Sequence, residues 1–284
     1  MTVLEYDHYE LRGLLGRIEE GLGKIGSSRD QVTLERLSLV DEFHFRGLPA
    51  TKELIEQLNV SSGDLVLDAG SGLGGPARQL ASATGCRVTG VDLSEEYCAT
   101  GRELNNWIGL DDRVSLDHGN VTDLSKYDDN SFGGAWTIHV GMNVENKVRF
   151  YEEIYRVLKP EATFLIYDVV AQSADTTPHF PMPWARTAQD SFLLTSSALR
   201  EELSAVGFGL ADVIDLTNQG AAFVDQLIGR LQQADTPPPL GLNLVLGSIF
   251  KEIVPNMKRN FTEGRIGLAS QLCTKPGYQR MRKL

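Results

Sequence analysis

The sequence predicts a doubly wound, mainly parallel α/β sheet, and three observations carry that class. The apolar run Leu65-Val-Leu67 ends at an acid, Asp68, and Gly70, Gly72, Gly74 and Gly75 follow within six residues. Pro76 and Ala77 to Ala83 then continue as a helix, because a first helical turn accepts proline, whose missing N–H would be unpaired there anyway. A second strand, Arg87 to Val91, also ends at an acid, Asp92, 24 residues beyond Asp68. That is close to the spacing at which a carboxylate meets ribose hydroxyls. Finally, strand-like and helix-like segments alternate along the chain, which implies parallel strands covered on both faces.

The elements follow in order. Residues 1 to 40 read as short helical pieces, broken by Gly21, Gly23, Gly26 and Ser27-Ser28. Thr51 to Leu58 is a helix with Leu54, Ile55 and Leu58 on one face. Ser94 caps the helix that runs to about Ile108, with Glu95 and Glu96 in its favourable first turn. Val114 to Gly119 and Phe132 to Ile138 are strands. Lys147 to Leu158 carries apolar residues at helical spacing, Lys159-Pro160 ends it, and Thr163 to Val169 is the next strand. Residues 171 to 195 read as a loop interleaving prolines with His179, Phe180 and Trp184. Ser197 to Val206 is a helix closed by Gly207, and Asp212 to Leu216 a strand. Ala221 to Gln233 and Leu242 to Phe261 are helical, separated by Pro237-Pro-Pro239, and Arg265 to Cys273 returns as a strand.

Composition narrows the function classes. The formal charge is 27 − 38 = −11, and an acidic surface repels phosphate backbones, so nucleic acid is not an expected partner. No apolar stretch approaches the roughly 20 residues of a membrane-spanning helix. Met1 to Glu10 is acidic and lacks a signal-peptide layout. Cys86, Cys98 and Cys273 are odd in number and scattered, which suggests neither a disulfide framework nor a metal cluster and fits a cytoplasmic protein. No metal is expected, because His and the carboxylates show no ligand spacing.

A glycine-rich turn alone is weak evidence, since it is often only a tight turn. Here a strand precedes it and a helix follows. A dinucleotide fingerprint reads G-x-G-x-x-G around a pyrophosphate. The acid ahead of these glycines is awkward for a pyrophosphate and suits a ligand carrying an ammonium group.

Asp68-Ala-Gly-Ser-Gly-Leu-Gly74 resembles motif I of the class I S-adenosylmethionine-dependent methyltransferases, and the resemblance covers most of the chain. It implies a Rossmann-like sheet of seven strands, closed by a hairpin whose last strand is antiparallel. It also implies an N-terminal helical lid (1–47), a core (48–217 and 265–284) and a helical cap (218–264) inserted before the last strand. The resemblance places Gly70, Ser71, Gly72 and Gly74 along the methionine part of S-adenosylmethionine, with Asp68 at its ammonium end. Asp92 then takes the ribose diol, and Leu93, Asn120 and Val121 lie at adenine. Asn120 stands where many relatives have Asp, and its side-chain carbonyl can accept the same hydrogen bond. Thr137 and His139 follow a strand end that faces the ligand crevice.

His139 reads equally as a general base near neutral pH or as a group that positions the cofactor. Asp168 ends a strand and is the other candidate for proton relay. His44, Arg46, Trp184 and Phe192 are candidate substrate contacts. The His44 segment resembles a His-x-Gly closure in small-molecule relatives, although Arg46 replaces the expected glycine. The pattern is nearest the sarcosine/dimethylglycine type. The expected function is methyl transfer to a small amine or hydroxyl acceptor, with a homodimer entertained. The alternatives are a nicotinamide-dependent oxidoreductase and a non-catalytic cofactor-binding protein.

Overall fold

The computed structural model describes residues 13–233 and 236–277. The acidic start read in the sequence, with the outer ends of the lid and core segments, lies outside these residues.

Three helices lead in: α1 (Leu14–Lys24), α2 (Leu34–Asp41) and α3 (Leu48–Leu58). The sheet follows with β1 (Leu65–Ala69), α4 (Gly75–Thr84), β2 (Arg87–Asp92), α5 (Glu95–Trp107), β3 (Val114–His118) and β4 (Phe132–Ile138). Then come α6 (Lys147–Val157), β5 (Leu158–Ala171), α7 (Ser196–Val206), β6 (Gly209–Leu210) and β7 (Ile214–Asp215). Helices α8 (Thr217–Gln233), α9 (Asn243–Leu246) and α10 (Phe250–Thr262) precede β8 (Ile266–Thr274). The strand order is β3-β2-β1-β4-β5-β8-β6, with β7 also on β8. Strands β1 to β5 are parallel, whereas β8 runs antiparallel to β5, β6 and β7. The expected antiparallel closure is present.

Four details differ from the sequence reading. The sheet has eight strands rather than seven, because a two-residue strand, Gly209–Leu210, precedes the segment read over 212–216, which is itself a strand only at Ile214–Asp215. Between them the Ala211 carbonyl leaves the ladder and accepts from Arg200 Nη1 at 2.6 Å and Gln271 Nε2 at 2.9 Å. Strand β5 begins at Leu158, immediately after the helix. Its pairing with β4 shifts register between Phe132 and Gly134, and Glu161 takes φ 69°. That bulge accommodates Pro160, which an unbroken ladder would not. The helix expected over 242–261 breaks at Gly247, whose φ of 61° no continuing helix adopts. Helix α8 starts four residues early, at Thr217.

The layers are pinned to the glycine loop by one buried group. Arg78, on α4, is fully buried, and its Nη2 donates to Asp41 Oδ2 at 2.7 Å and to the Leu73 carbonyl at 2.7 Å. Its Nη1 donates to Asn105 Oδ1 at 2.7 Å. One guanidinium thus joins α2, α4, α5 and the loop.

Candidate functional site

A cavity of about 850 Å³ opens at the carboxyl ends of β1, β2 and β4. This is where open parallel sheets bind ligands. One side is the glycine loop. Gly70 takes φ 84° and donates its N–H to the Val91 carbonyl at 2.8 Å. A Cβ there would lie 2.2 Å from Val140 Cγ2, so glycine is required sterically as well as conformationally. Gly72, at φ 52°, has nothing within 4 Å of its Cβ position and lines the cavity. Bare backbone therefore faces open space there.

Asp68 lines this wall and is 2% exposed, and its Oδ2 has no hydrogen-bond partner. Burial pushes the carboxyl up to about 7, against the pull of the Trp136 indole. A buried, unpartnered carboxylate oxygen on a cavity is what an ammonium group would satisfy. Asp92 is held by the two elements it separates: Oδ2 accepts from Gly72 N–H at 2.7 Å and Oδ1 from Ser94 N–H at 2.9 Å. Desolvation raises its pKa, and those two amides oppose the rise. Leu93 beside it is 51% exposed and forms a flat apolar shelf. Ser71, Asn120 and Val121 complete this end. Asn120 Oδ1 already accepts from Thr122 N–H and Oγ1–H, both at 2.9 Å, so its two lone pairs are occupied. The hydrogen bond expected from its carbonyl to adenine therefore has no free acceptor.

His139 also lines the cavity, in a left-handed backbone conformation at φ 56°. Its Nδ1 lies 3.2 Å from the Tyr167 carbonyl and its Nε2 accepts from Phe45 N–H at 3.3 Å. Only the neutral tautomer protonated on Nδ1 satisfies both. Burial, with His44 nearby, lowers its pKa to about 3. The general-base reading of His139 is corrected on these grounds: the lone pair it would use is committed to Phe45. Tyr167 Oη donates to the Phe45 carbonyl at 3.0 Å, so His139 and Tyr167 together clamp the backbone of Phe45, in the 43–46 strap, on both sides.

His44 follows in the same strap. Its Nε2 lies 3.2 Å from both the Gly47 carbonyl and Thr51 Oγ1, while Thr51 donates to Glu42 at 2.5 Å. The proton is therefore on Nε2, leaving Nδ1 as acceptor with no hydrogen bond among the described residues. Burial lowers His44 to about 4 and raises Glu42 to about 8, so both are neutral near pH 7.

Several sequence candidates do not reach the cavity. Strand alternation sends Asp168 to the opposite face from Tyr167, where Gly141 and Lys147 surround it and burial raises it to about 7. Thr137 is fully buried and donates to the Ala69 carbonyl at 2.8 Å. Gly74 packs against Leu116 and Arg78. Arg46 turns to Glu53 at 2.5 Å. Phe192 binds the strap after β4 through its backbone, accepting Lys147 Nζ at 2.8 Å. Trp184 does line the cavity. The helical cap expected over 218–264 supplies the far wall, whose residues the sequence reading did not name: Phe223, Leu246, Phe250 and Met257, from α8 to α10. Their signal was the apolar spacing of Phe223 and Leu227, and of Phe250 and Met257. Among the described residues, no cluster of three His, Cys, Asp or Glu side chains is placed to hold a metal ion, and no helix is long and apolar enough to cross a membrane.

Residues 67–166, from β1 into β5, match the family model described as a methyltransferase domain. The fold is that of the class I methyltransferases. A sterol 24-C-methyltransferase of Eremothecium gossypii is 37% identical over 125 residues, 44% of this chain and 33% of the relative. A glycine/sarcosine/dimethylglycine N-methyltransferase of Actinopolyspora halophila is 32% identical over 214 residues, 74% of this chain and 36% of the relative. Among solved structures, the [4+2]-cyclase SpnF superposes with a TM-score of 0.66 at 24% identity, covering 81% of each chain. The chain spans 33%, 48% and 56% of the first three curated relatives it matches. In this methyltransferase-type sheet, the matched residues contain the glycine loop, Asp92 and His139, whereas the strap at 43–46 and the α8–α10 wall lie outside them.

Proposed function

We propose that the chain is an S-adenosylmethionine-dependent methyltransferase acting on a small-molecule acceptor. The observation that carries this reading is the unpartnered Asp68 Oδ2 beside the bare backbone of Gly72, on the same cavity as Asp92. Asp68 receives the ammonium group, Gly70 to Gly72 carry the methionine part, Asp92 orients the ribose diol, and Leu93 and Val121 pack adenine. When bound, S-adenosylmethionine supplies a methyl group already activated by its sulfonium. The chain then has to align an acceptor and exclude water, which is where most of the available rate enhancement lies. Trp184 and helices α8 to α10 enclose the far side of the cavity. His139 holds the strap that brings in His44, and His44 Nδ1 orients the acceptor's polar group. Neither imidazole is basic enough here to store a proton near pH 7.

The proposal extends to a homodimeric, cytoplasmic protein with no nucleic-acid partner. The net charge of −11 and three buried free cysteines support the last two points. Calorimetry with S-adenosylmethionine, S-adenosylhomocysteine and NAD tests the central reading. Micromolar binding of the first two and none of NAD is expected, followed by transfer of a labelled methyl group to an acceptor. Tighter binding of NAD refutes it. Light scattering after size exclusion tests the dimer.

A further inference from the structure

We infer that the acceptor is a bulky, mainly apolar molecule that carries no carboxylate or phosphate. This rests on the methyltransferase reading and concerns the half of the cavity away from Asp68 and Asp92. Its walls are Met142, Trp184, Phe223, Leu246, Phe250 and Met257. Buried aromatic and aliphatic walls of this kind reward apolar area and give orientation through very few polar groups. The polar groups here are His44, His139 and Asn143. His139 has both ring nitrogens engaged, and Asn143 Nδ2 donates to the Trp184 carbonyl at 2.8 Å. Among the described residues His44 Nδ1 makes no hydrogen bond, so it can accept from one polar group of the incoming molecule.

Charge sharpens the inference. Among the described residues, no Lys or Arg lines the cavity. Lys251 and Arg186, beside Phe250 and Trp184, are exposed and do not line it, and several cations on neighbouring elements are paired elsewhere. Arg78 pairs with Asp41 at 2.7 Å and Arg46 with Glu53 at 2.5 Å. Lys258 pairs with Asp225 at 2.5 Å. Lys147 Nζ donates to the carbonyls of Gly141 at 2.6 Å and Phe192 at 2.8 Å, and also to that of Val144. The lining acids are Asp41, Asp68, Asp92, Glu95 and Glu145. An anionic acceptor would surrender its hydration to a site whose own side chains offer no counter-charge and whose charged lining is like-signed. Amino-acid acceptors such as sarcosine, and diphosphate esters, are therefore disfavoured, although a glycine/sarcosine/dimethylglycine N-methyltransferase is among the relatives. The cavity's size, about 850 Å³, lies in the upper part of the range for ligand pockets, leaving room for a large acceptor beside the cofactor.

The test uses the full chain saturated with S-adenosylhomocysteine, whose binding is first measured by calorimetry. N-phenyl-1-naphthylamine, a neutral apolar fluorophore, should brighten in the cavity. Geraniol should displace it at concentrations at least about tenfold below those at which geranyl diphosphate or sarcosine does so. Leu246→Arg places a cation in the wall. It should weaken displacement by geraniol and strengthen displacement by geranyl diphosphate, each by about tenfold. If the variant does not fold, the wild-type comparison decides. Absence of fluorescence enhancement, or displacement by the anions as readily as by geraniol, overturns the inference while the methyltransferase reading stands. Failure of S-adenosylhomocysteine to bind overturns that reading and this inference with it.

Discussion

Cofactor binding should be coupled to proton release from Asp68. In the free protein, burial holds this carboxyl at about 7. An ammonium group against its unpartnered Oδ2 favours the ionised form and returns the pKa towards the ordinary carboxylate value of about 4. Between those two values the free carboxyl is largely protonated and the bound one ionised, so each binding event expels a proton. Affinity for S-adenosylhomocysteine should then rise about tenfold per pH unit between about pH 5 and 7, and level off above. The two-unit span amounts to about 2.7 kcal/mol at 1.36 kcal/mol per unit. Asp68→Asn abolishes the titration and the charge. Its binding should be flat with pH and, at pH 8, weaker than wild type by about 1.5–3 kcal/mol, the range for a hydrogen bond to a charged group. Calorimetry at pH 6, in two buffers of different ionisation enthalpy, counts the protons directly and should find nearly one per ligand. A flat wild-type profile with no proton release, or an undiminished slope in Asp68→Asn, would refute the reasoning.

The remaining predictions concern the frame around that carboxyl. Asp68 and Glu42 titrate near 7 and 8 in the folded protein, above their unfolded values of about 4. Their contribution is complete below about pH 4 and is lost as pH rises through 7 to 8. Above about pH 6.5 the buried His44 and His139 are neutral in the folded and the unfolded chain alike, so the thermal midpoint of the ligand-free protein should fall from about pH 6.5 to pH 8, and S-adenosylhomocysteine should raise it most at the upper end. A rising midpoint in scanning calorimetry contradicts this. Arg78→Met strands Asp41 in the interior and should remove about 3–5 kcal/mol of stability in urea titrations; a loss below about 1 kcal/mol would show that the pair is not structural. Gly70→Ala adds a methyl 2.2 Å from Val140 Cγ2 at φ 84°, with an expected loss of about 1–3 kcal/mol, and Val140→Ala should restore only the steric part. His139→Leu removes the acceptor of Phe45 N–H. Hydrogen exchange at Phe45 should accelerate while the pH profile of turnover keeps its shape, and loss of an inflection near pH 6.5 would reinstate His139 as a base.

The glycine loop and Asp92 were legible because the information is local. A buried strand, a turn that needs positive φ and a helix start lie within about twenty residues, and Asp92 closes its contacts on Gly72 and Ser94 close by. What was not legible depends on partners distant in sequence. Nothing near Arg78 announces Asp41, 37 residues away. The sequence shows a histidine at 139 but not the Phe45 amide that occupies its lone pair, and a free imidazole's pKa gives no warning of burial. Asp168 was misplaced by treating a strand end as a point, when alternation sends its neighbour Tyr167 to the strap, against Phe45 and His139, and Asp168 to the other face. Pro160 read as a stop because the bulge that admits it is a property of the pairing with β4, not of β5 alone.

The α8–α10 wall departs from and rejoins the sheet at adjacent rungs. Ile214 and Asp215 of β7 pair with Ser270 and Ala269 of β8, and Leu216 N–H reaches the Leu268 carbonyl at 2.8 Å. The excursion is clamped at its root, so the rungs stay in step on either side of it. Lengthening such an excursion adds only about 0.6 kcal/mol of closure entropy per doubling. The glycine loop lies at the other end of the sheet's connectivity and takes no part in that clamp. Residues 217–265 thus leave and re-enter the sheet at one place, while Phe45 against Phe223 and Phe261, and Asn260 bonded to His179, tie the excursion to the strap and to the loop over 171–195.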